Sequence, residues 1–194
     1  MEELQTDVTK LDGCITTRSG IKFNLIDPKV EMVFIGDIAS GLAYKGHFVG
    51  QTPMMFPVAQ HSTLACDLVV AQEDPLKEDI LFMLELLLHD SPEAYLFDCP
   101  KPIKVLPGFE KIIETEEKIT AIIYKRFGIE YPSKRKPEIK KYDILAQQIE
   151  YDKFYKGGVQ DMLYFSPEDA RKRFLIYFNR FMSKLNPREI ITPK

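Results

Sequence analysis

The chain has 194 residues, 45% hydrophobic and 28% charged, with a formal net charge of −3. That length suits one domain with a sizeable core. The balance excludes a basic nucleic-acid surface, and the short clusters Lys134-Arg135-Lys136 and Lys140-Lys141 read as solvated faces. The longest apolar run, Ile80 to Leu88, is interrupted by Glu85 and too short to span a membrane.

The polar start, Met1-Glu2-Glu3-Leu4-Gln5, is unlike a secretory signal. Cys14, Cys66 and Cys99 are widely spaced and odd in number, as expected for free thiols in a reducing cytoplasm. Only three histidines occur, His47, His61 and His89.

Residues 1–12 form a loose polar lead. Cys14 to Thr17 and Ile21 to Leu25, around Arg18-Ser19-Gly20, predict a β-hairpin that must lie against a larger body. Asp37 to Lys45 predicts a short helix with Ile38 and Leu42 inward and Gly46 as its stop. Gly46-His47-Phe48-Val49-Gly50 predicts a loop, either a plain connector or one whose backbone approaches a ligand closely.

Pro57 to Gln72 predicts a helix whose apolar stripe includes His61, with Leu64, Ala65 and Leu68 at i+3, i+4 and i+7. Alone, such a histidine is more often a satisfied core residue than a ligand. Lys77 to Asp90 predicts a central helix, apolar nearly all round in its second half. Pro92 cannot continue it, so a kink or restart is expected after His89-Asp90, with Ser91 as a fresh N-cap.

Asp98 to Lys104, with Pro100 and Pro102, predicts a stiff extended loop. A helix from Phe109 to Phe127 places Ile112, Ile119, Ile123 and Phe127 inward. Another runs from Pro137 to Tyr155 with the stripe Ile139, Tyr142, Ala146 and Ile149, bordered by Asp143; Gly157-Gly158 ends it. Ser166-Pro167 starts a last helix whose face is Ala170, Phe174, Tyr177, Phe178, Phe181 and Leu185, and Asn186-Pro187 stops it. The fold class expected is all-α, a helical bundle with a small N-terminal β-hairpin. It forms one domain over 1–194, with a core at about 14–185 and peripheral ends at 1–12 and 187–194.

His61 points inward, His89 and Asp90 stand at a buried helix end, and Asp143 sits on the core side of a later helix. An unpaired buried acid or imidazole is unfavourable, so convergence is expected. Two imidazoles and two carboxylates suit one divalent ion, Mn²⁺, Co²⁺, Fe²⁺ or Zn²⁺, with open positions for water and substrate.

The order His…His-Asp…Asp resembles the signature of HD-domain phosphohydrolases. The stretches Val58-Ala59-Gln60-His61-Ser62, Leu87-Leu88-His89-Asp90-Ser91-Pro92-Glu93-Ala94-Tyr95, Asp98 to Lys104 and Lys141-Tyr142-Asp143 resemble the YfbR-like 5′-deoxynucleotidase branch. The similar region runs from about Thr16 to Glu150. The resemblance implies an HD-domain bundle, one catalytic metal, a homodimer and hydrolysis of a small nucleotide, with a (deoxy)nucleoside 5′-monophosphate favoured.

By position, it makes His61, His89, Asp90 and Asp143 metal ligands and Glu93 the acid–base residue, with Asp98 near the sugar or capping a turn. Where branch members carry an arginine followed by an aromatic residue, this chain has His47-Phe48. The aromatic contact is kept and the permanent charge is lost. Lys104, Lys101, Lys45 or Arg18 would then supply the phosphate contact. A triphosphohydrolase on the same scaffold and a non-catalytic metal- or nucleotide-binding protein are the alternative readings. Neither a nucleic-acid polymer nor a membrane is expected as partner.

Overall fold

The computed structural model describes residues 12–157 and 163–185. Two short antiparallel strands, β1 (Cys14–Thr16) and β2 (Lys22–Asn24), pair Ile15 with Phe23. Among the described residues seven helices follow: α1 (Ile35–Ala43), α2 (Val58–Ala71), α3 (Ile80–Leu87), α4 (Lys101–Lys104), α5 (Glu110–Arg126), α6 (Lys136–Tyr155) and α7 (Pro167–Leu185). The chain is thus an all-α bundle with a small N-terminal hairpin, as its periodicity predicts. Among the described residues no helix is long and apolar enough to cross a membrane.

Helix α2 packs on α6, α7, α3 and α1, which makes it the axis of the bundle. One continuous apolar cluster runs from Phe23 of the hairpin to Phe181 of α7. The hairpin is fastened at two points. Phe23 stacks on Tyr95 with ring centroids 3.8 Å apart. The buried Asp37 carboxylate accepts from the Thr17 hydroxyl at 2.7 Å, the Ser19 amide at 2.8 Å and the Ser19 hydroxyl at 2.6 Å. A buried acid is tolerable when donors surround it in this way.

Three local expectations need correction. The helix expected over 77–90 is divided: a 3₁₀ turn covers Pro75–Glu78, and the Asp79 side chain caps α3 by accepting from the Phe82 amide at 3.0 Å. Asp74 caps the 3₁₀ turn in the same way, and Asp79, a preferred N-cap residue in extended conformation, restarts the chain as α3. At its other end α3 stops at Leu87, and His89-Asp90 lie beyond it. The restart is a 3₁₀ turn, Ser91–Ala94, with Asp90 rather than Ser91 at the cap position; the Ser91 hydroxyl donates back to the Leu88 carbonyl at 2.5 Å.

The extended loop expected at 98–104 becomes helical at Lys101–Lys104, because Pro102 falls in the first turn, where a missing amide costs nothing. Gly46 does not cap α1, whose C-cap is Tyr44; it bridges to Pro57 and pinches the 46–57 loop shut. The stop expected at Asn186-Pro187 lies outside the described residues, as does Gly158.

Close packing places the restart. Gly41 of α1 lies against Ala94, and a Cβ at position 41 would meet the Ala94 carbonyl oxygen at 2.6 Å. The Lys45 ammonium donates to the main-chain carbonyls of Glu93 and Leu96, which pins the same turn from the far end of α1.

Candidate metal centre

His61 sits in the first turn of α2 with no exposed surface. Its neighbour Gln60 is locked to the chain entering α7: the amide donates to the Leu163 carbonyl at 2.6 Å and the side-chain oxygen accepts from the Phe165 amide at 3.0 Å. His89 and Asp90 occupy the unwound step between α3 and the 3₁₀ turn. Asp143 enters from α6. The four side chains expected to converge do so. His89 Nε2 is 3.1 Å from Asp90 Oδ2 and 3.7 Å from Asp143 Oδ1; His61 Nε2 is 3.7 Å and 3.4 Å from the same two oxygens.

These spacings fit a cation. Bond lengths of about 2.0–2.2 Å place neighbouring ligand atoms roughly 3.0–3.6 Å apart. The ring orientations agree. His89 Nδ1–H donates to the Leu86 carbonyl at 2.7 Å, and His61 Nδ1–H donates to Glu150 Oε1 at 2.8 Å. Both rings therefore turn Nε2 toward the carboxylates, and neither Nε2 has an aligned hydrogen-bond partner. A backbone carbonyl or carboxylate on the distal nitrogen is the usual support of a metal histidine. Buried groups of His, Asp and Glu that could hold a metal ion are thus present, His61, His89 and Asp90 among them.

The electrostatics demand positive charge at this point. Burial alone would lower both imidazole pKa values. For His89 the Asp90 and Asp143 carboxylates more than reverse that, raising it to about 10. For His61, Glu150, Asp143 and Asp90 do the same. Burial favours neutral Asp90 and Asp143, but the adjacent imidazoles hold both carboxyls low, Asp90 at about 2. Protons on the imidazoles or a metal cation would satisfy the site equally.

Glu93 stands beside this cluster in the 3₁₀ turn. Burial, then the charges of Asp90, Asp98 and Glu116, push its carboxyl well above the usual glutamate range. Its Oε2 is buried without a hydrogen-bond partner. It is an acid beside the candidate cation position that holds its proton to higher pH than an ordinary glutamate.

The substrate-side residues expected from the sequence are arranged differently. His47 is buried, with Nδ1 3.7 Å from Asp98 Oδ2. Phe48 and Val49 both adopt left-handed backbone, with φ of 55° and 56°, an arrangement that non-glycine residues rarely accept. Asp98 Oδ2 accepts from the Val49 amide at 2.9 Å and holds that turn. Phe48 lies edge-on to Phe154 and Tyr155.

Lys104 does not face the site as a free cation, because its ammonium is bound by both Glu116 oxygens at 2.6 and 2.8 Å. Lys45 is committed to carbonyls, and Arg18 lies over the Tyr44 ring. Lys101 of α4 and Lys140 of α6 instead stand side by side near Asp143, neither in an ion pair among the described residues. Burial and the Lys101 ammonium lower the Lys140 pKa while Asp143 draws it back up.

Sequence reasoning missed Glu150. The α6 stripe was expected to pass through Ile149, which is only half-buried; the buried positions are Ile139, Tyr142, Ala146, Glu150 and Phe154. The signal was an acid at the next helical step after Ala146.

No family model matches the chain. The chain is 31% identical over 163 residues to the uncharacterized protein RCAP_rcc00048 of Rhodobacter capsulatus, covering 81% of this chain and 82% of that protein. The chain belongs to the family of that Rhodobacter protein. It is also 36% identical over 116 residues to the uncharacterized protein YfdR of Escherichia coli, covering 59% of this chain and 58% of YfdR. The chain thus spans little more than half the length of this second relative.

Proposed function

We propose that the chain is an HD-type, metal-dependent phosphohydrolase of small nucleotides, with a (deoxy)nucleoside 5′-monophosphate as the favoured substrate. One observation carries this reading: two imidazole Nε2 atoms and two carboxylate oxygens point at one position while each distal Nδ1 is tied elsewhere. His61, His89, Asp90 and Asp143 would hold one Mn²⁺, Co²⁺, Fe²⁺ or Zn²⁺. When bound, such an ion neutralises phosphate charge and lowers the pKa of nearby water.

The chain's own groups account for the rest. Glu93, whose carboxyl pKa is raised by burial and the neighbouring acids, is the acid–base residue: it takes a proton from the attacking water as the new oxygen–phosphorus bond forms and gives it to the leaving 5′-oxygen as the old bond breaks. Phe48 offers an aromatic face to the nucleoside. Asp98 holds the Phe48-Val49 turn, the second of the two roles expected for it. Lys101 and Lys140 are the unpaired cations available to phosphate, in place of Lys104. Two adjacent ammonium groups repel each other unless an anion lies between them.

That lysine pair favours a second reading, a (deoxy)nucleoside triphosphohydrolase, in which a longer phosphate tail meets both. The test is product release from deoxynucleoside and nucleoside mono- and triphosphates with Mn²⁺ or Co²⁺. Orthophosphate from monophosphates supports the first reading. Tripolyphosphate or pyrophosphate from triphosphates supports the second. Nucleotide binding without turnover under any metal would leave a non-catalytic binding protein.

A further inference from the structure

Glu150 takes no part in the chemistry above, yet it is fully buried between two histidines. Its Oε1 accepts from His61 Nδ1–H at 2.8 Å, and its Oε2 lies 3.4 Å from His47 Nε2. The two imidazole rings stand 4.5 Å apart, tilted by 30°. One carboxylate from α6 therefore reaches the helix that carries the metal-side histidine and the strained turn that carries the substrate-side one.

His47, His61 and Glu150 lie close enough to form a metal group of their own, but Glu150 is poorly placed to reach an ion at His61 Nε2. It meets His61 on Nδ1, whereas Nε2 faces Asp90 and Asp143. An acceptor on Nδ1 fixes three things at once: which nitrogen carries the proton, the plane of the ring and the donor strength of Nε2. The second oxygen lies within ion-pair distance of His47 Nε2 without an aligned hydrogen bond, and Asp98 flanks His47 from its other nitrogen.

We propose that Glu150 is the positioning residue of the site, a buried carboxylate outside the ligand set whose two oxygens keep His61 and His47 in register. The proposal rests on the reading of His61 as a metal ligand. It makes the metal position and the His47-Phe48 turn dependent on one side chain.

The experiment titrates the metal-stripped full chain with Zn²⁺ alone, in the wild type, Glu150→Ala and Glu150→Gln. Long-range ¹H–¹⁵N spectra of the imidazoles are recorded on the Zn²⁺-loaded proteins; three histidines make them simple to assign. The wild type should bind one ion per chain and carry the His61 proton on Nδ1. Glu150→Ala should bind Zn²⁺ about 10- to 100-fold more weakly, the range typical of lost support behind a ligand. Glu150→Gln, whose amide oxygen still accepts from Nδ1–H, should recover most of that affinity and the same tautomer.

Affinity unchanged in Glu150→Ala would overturn the proposal. So would two ions in the wild type with one lost in Glu150→Ala, because His47, His61 and Glu150 would then form a second metal group. If Glu150→Ala does not fold, the wild-type tautomer decides: a His61 proton on Nε2 rejects the proposal. Failure of the metal reading is separately visible, as no Zn²⁺ uptake by the wild type.

Discussion

Glu150 and Glu85 are both sealed inside the bundle, on helices α6 and α3 that pack together, and their settings are opposite. Glu150 has an imidazole at each oxygen; burial would raise its pKa, but His61 and His47 bring it below the usual value. For Glu85 burial prevails over Ser133 and Arg135, and its pKa is raised. Burial of an acid therefore does not mark a site. What marks it is a partner of complementary charge that is itself aimed at something else.

The largest effects should fall where acid and imidazole meet. His89→Ala should lower metal affinity by more than about 100-fold, beyond the loss expected from a supporting partner; a chelator-competition titration measures it. Normal binding by that variant would break the comparison, since the imidazole would then be as dispensable as a core residue. Glu93→Gln should retain the metal and lose about 10²- to 10⁴-fold in kcat, as for removal of a general acid. Metal content and steady-state rates on one preparation separate the two.

The lysine pair comes next. Lys101→Ala with Lys140→Ala should raise nucleotide KM by about tenfold, comparable to one lost charge-assisted hydrogen bond. The variant's KM should also depend less on salt. An unchanged KM would place the phosphate elsewhere.

Glu85→Gln sharpens the comparison from the other side. A folded-state pKa above the unfolded value means that stability is lost as pH rises from the ordinary glutamate value through the folded one. The glutamine variant should thus be more stable than the wild type at pH 7, by about 0.5–1.5 kcal/mol. The gain should vanish below the ordinary value, where both forms of the wild type are protonated; thermal melts across pH follow it. Smallest of all, Lys104→Ala breaks a half-exposed pair with Glu116 and should cost less than about 1 kcal/mol in denaturant unfolding. It should leave nucleotide KM unchanged.

The convergence of the His-Asp cluster that could hold a metal was legible in the sequence because each of its residues contradicts its surroundings. His61 interrupts an apolar stripe, His89-Asp90 ends an apolar run, and Asp143 borders a buried face. Glu150 hid because Ile149 beside it satisfied the same stripe, and a helix that drifts slightly exchanges one for the other. The Lys104–Glu116 pair was not legible, because Glu116 comes from a different helix and no local spacing reports that pairing. Pro102 was read as a breaker when it lies in a first turn. These misses share a cause: burial and charge pairing are decided between elements, whereas periodicity is read within one.

Gly41 shows how far such constraints reach. Helix α1 donates no group to the chemistry, yet the absence of one methyl on it lets the turn carrying Glu93 settle where it does. Any side chain at position 41 must displace the Ala94 backbone, and Glu93 is the residue before it. Variation at 41 would act as a distant dial on acid placement, altering turnover before it altered fold.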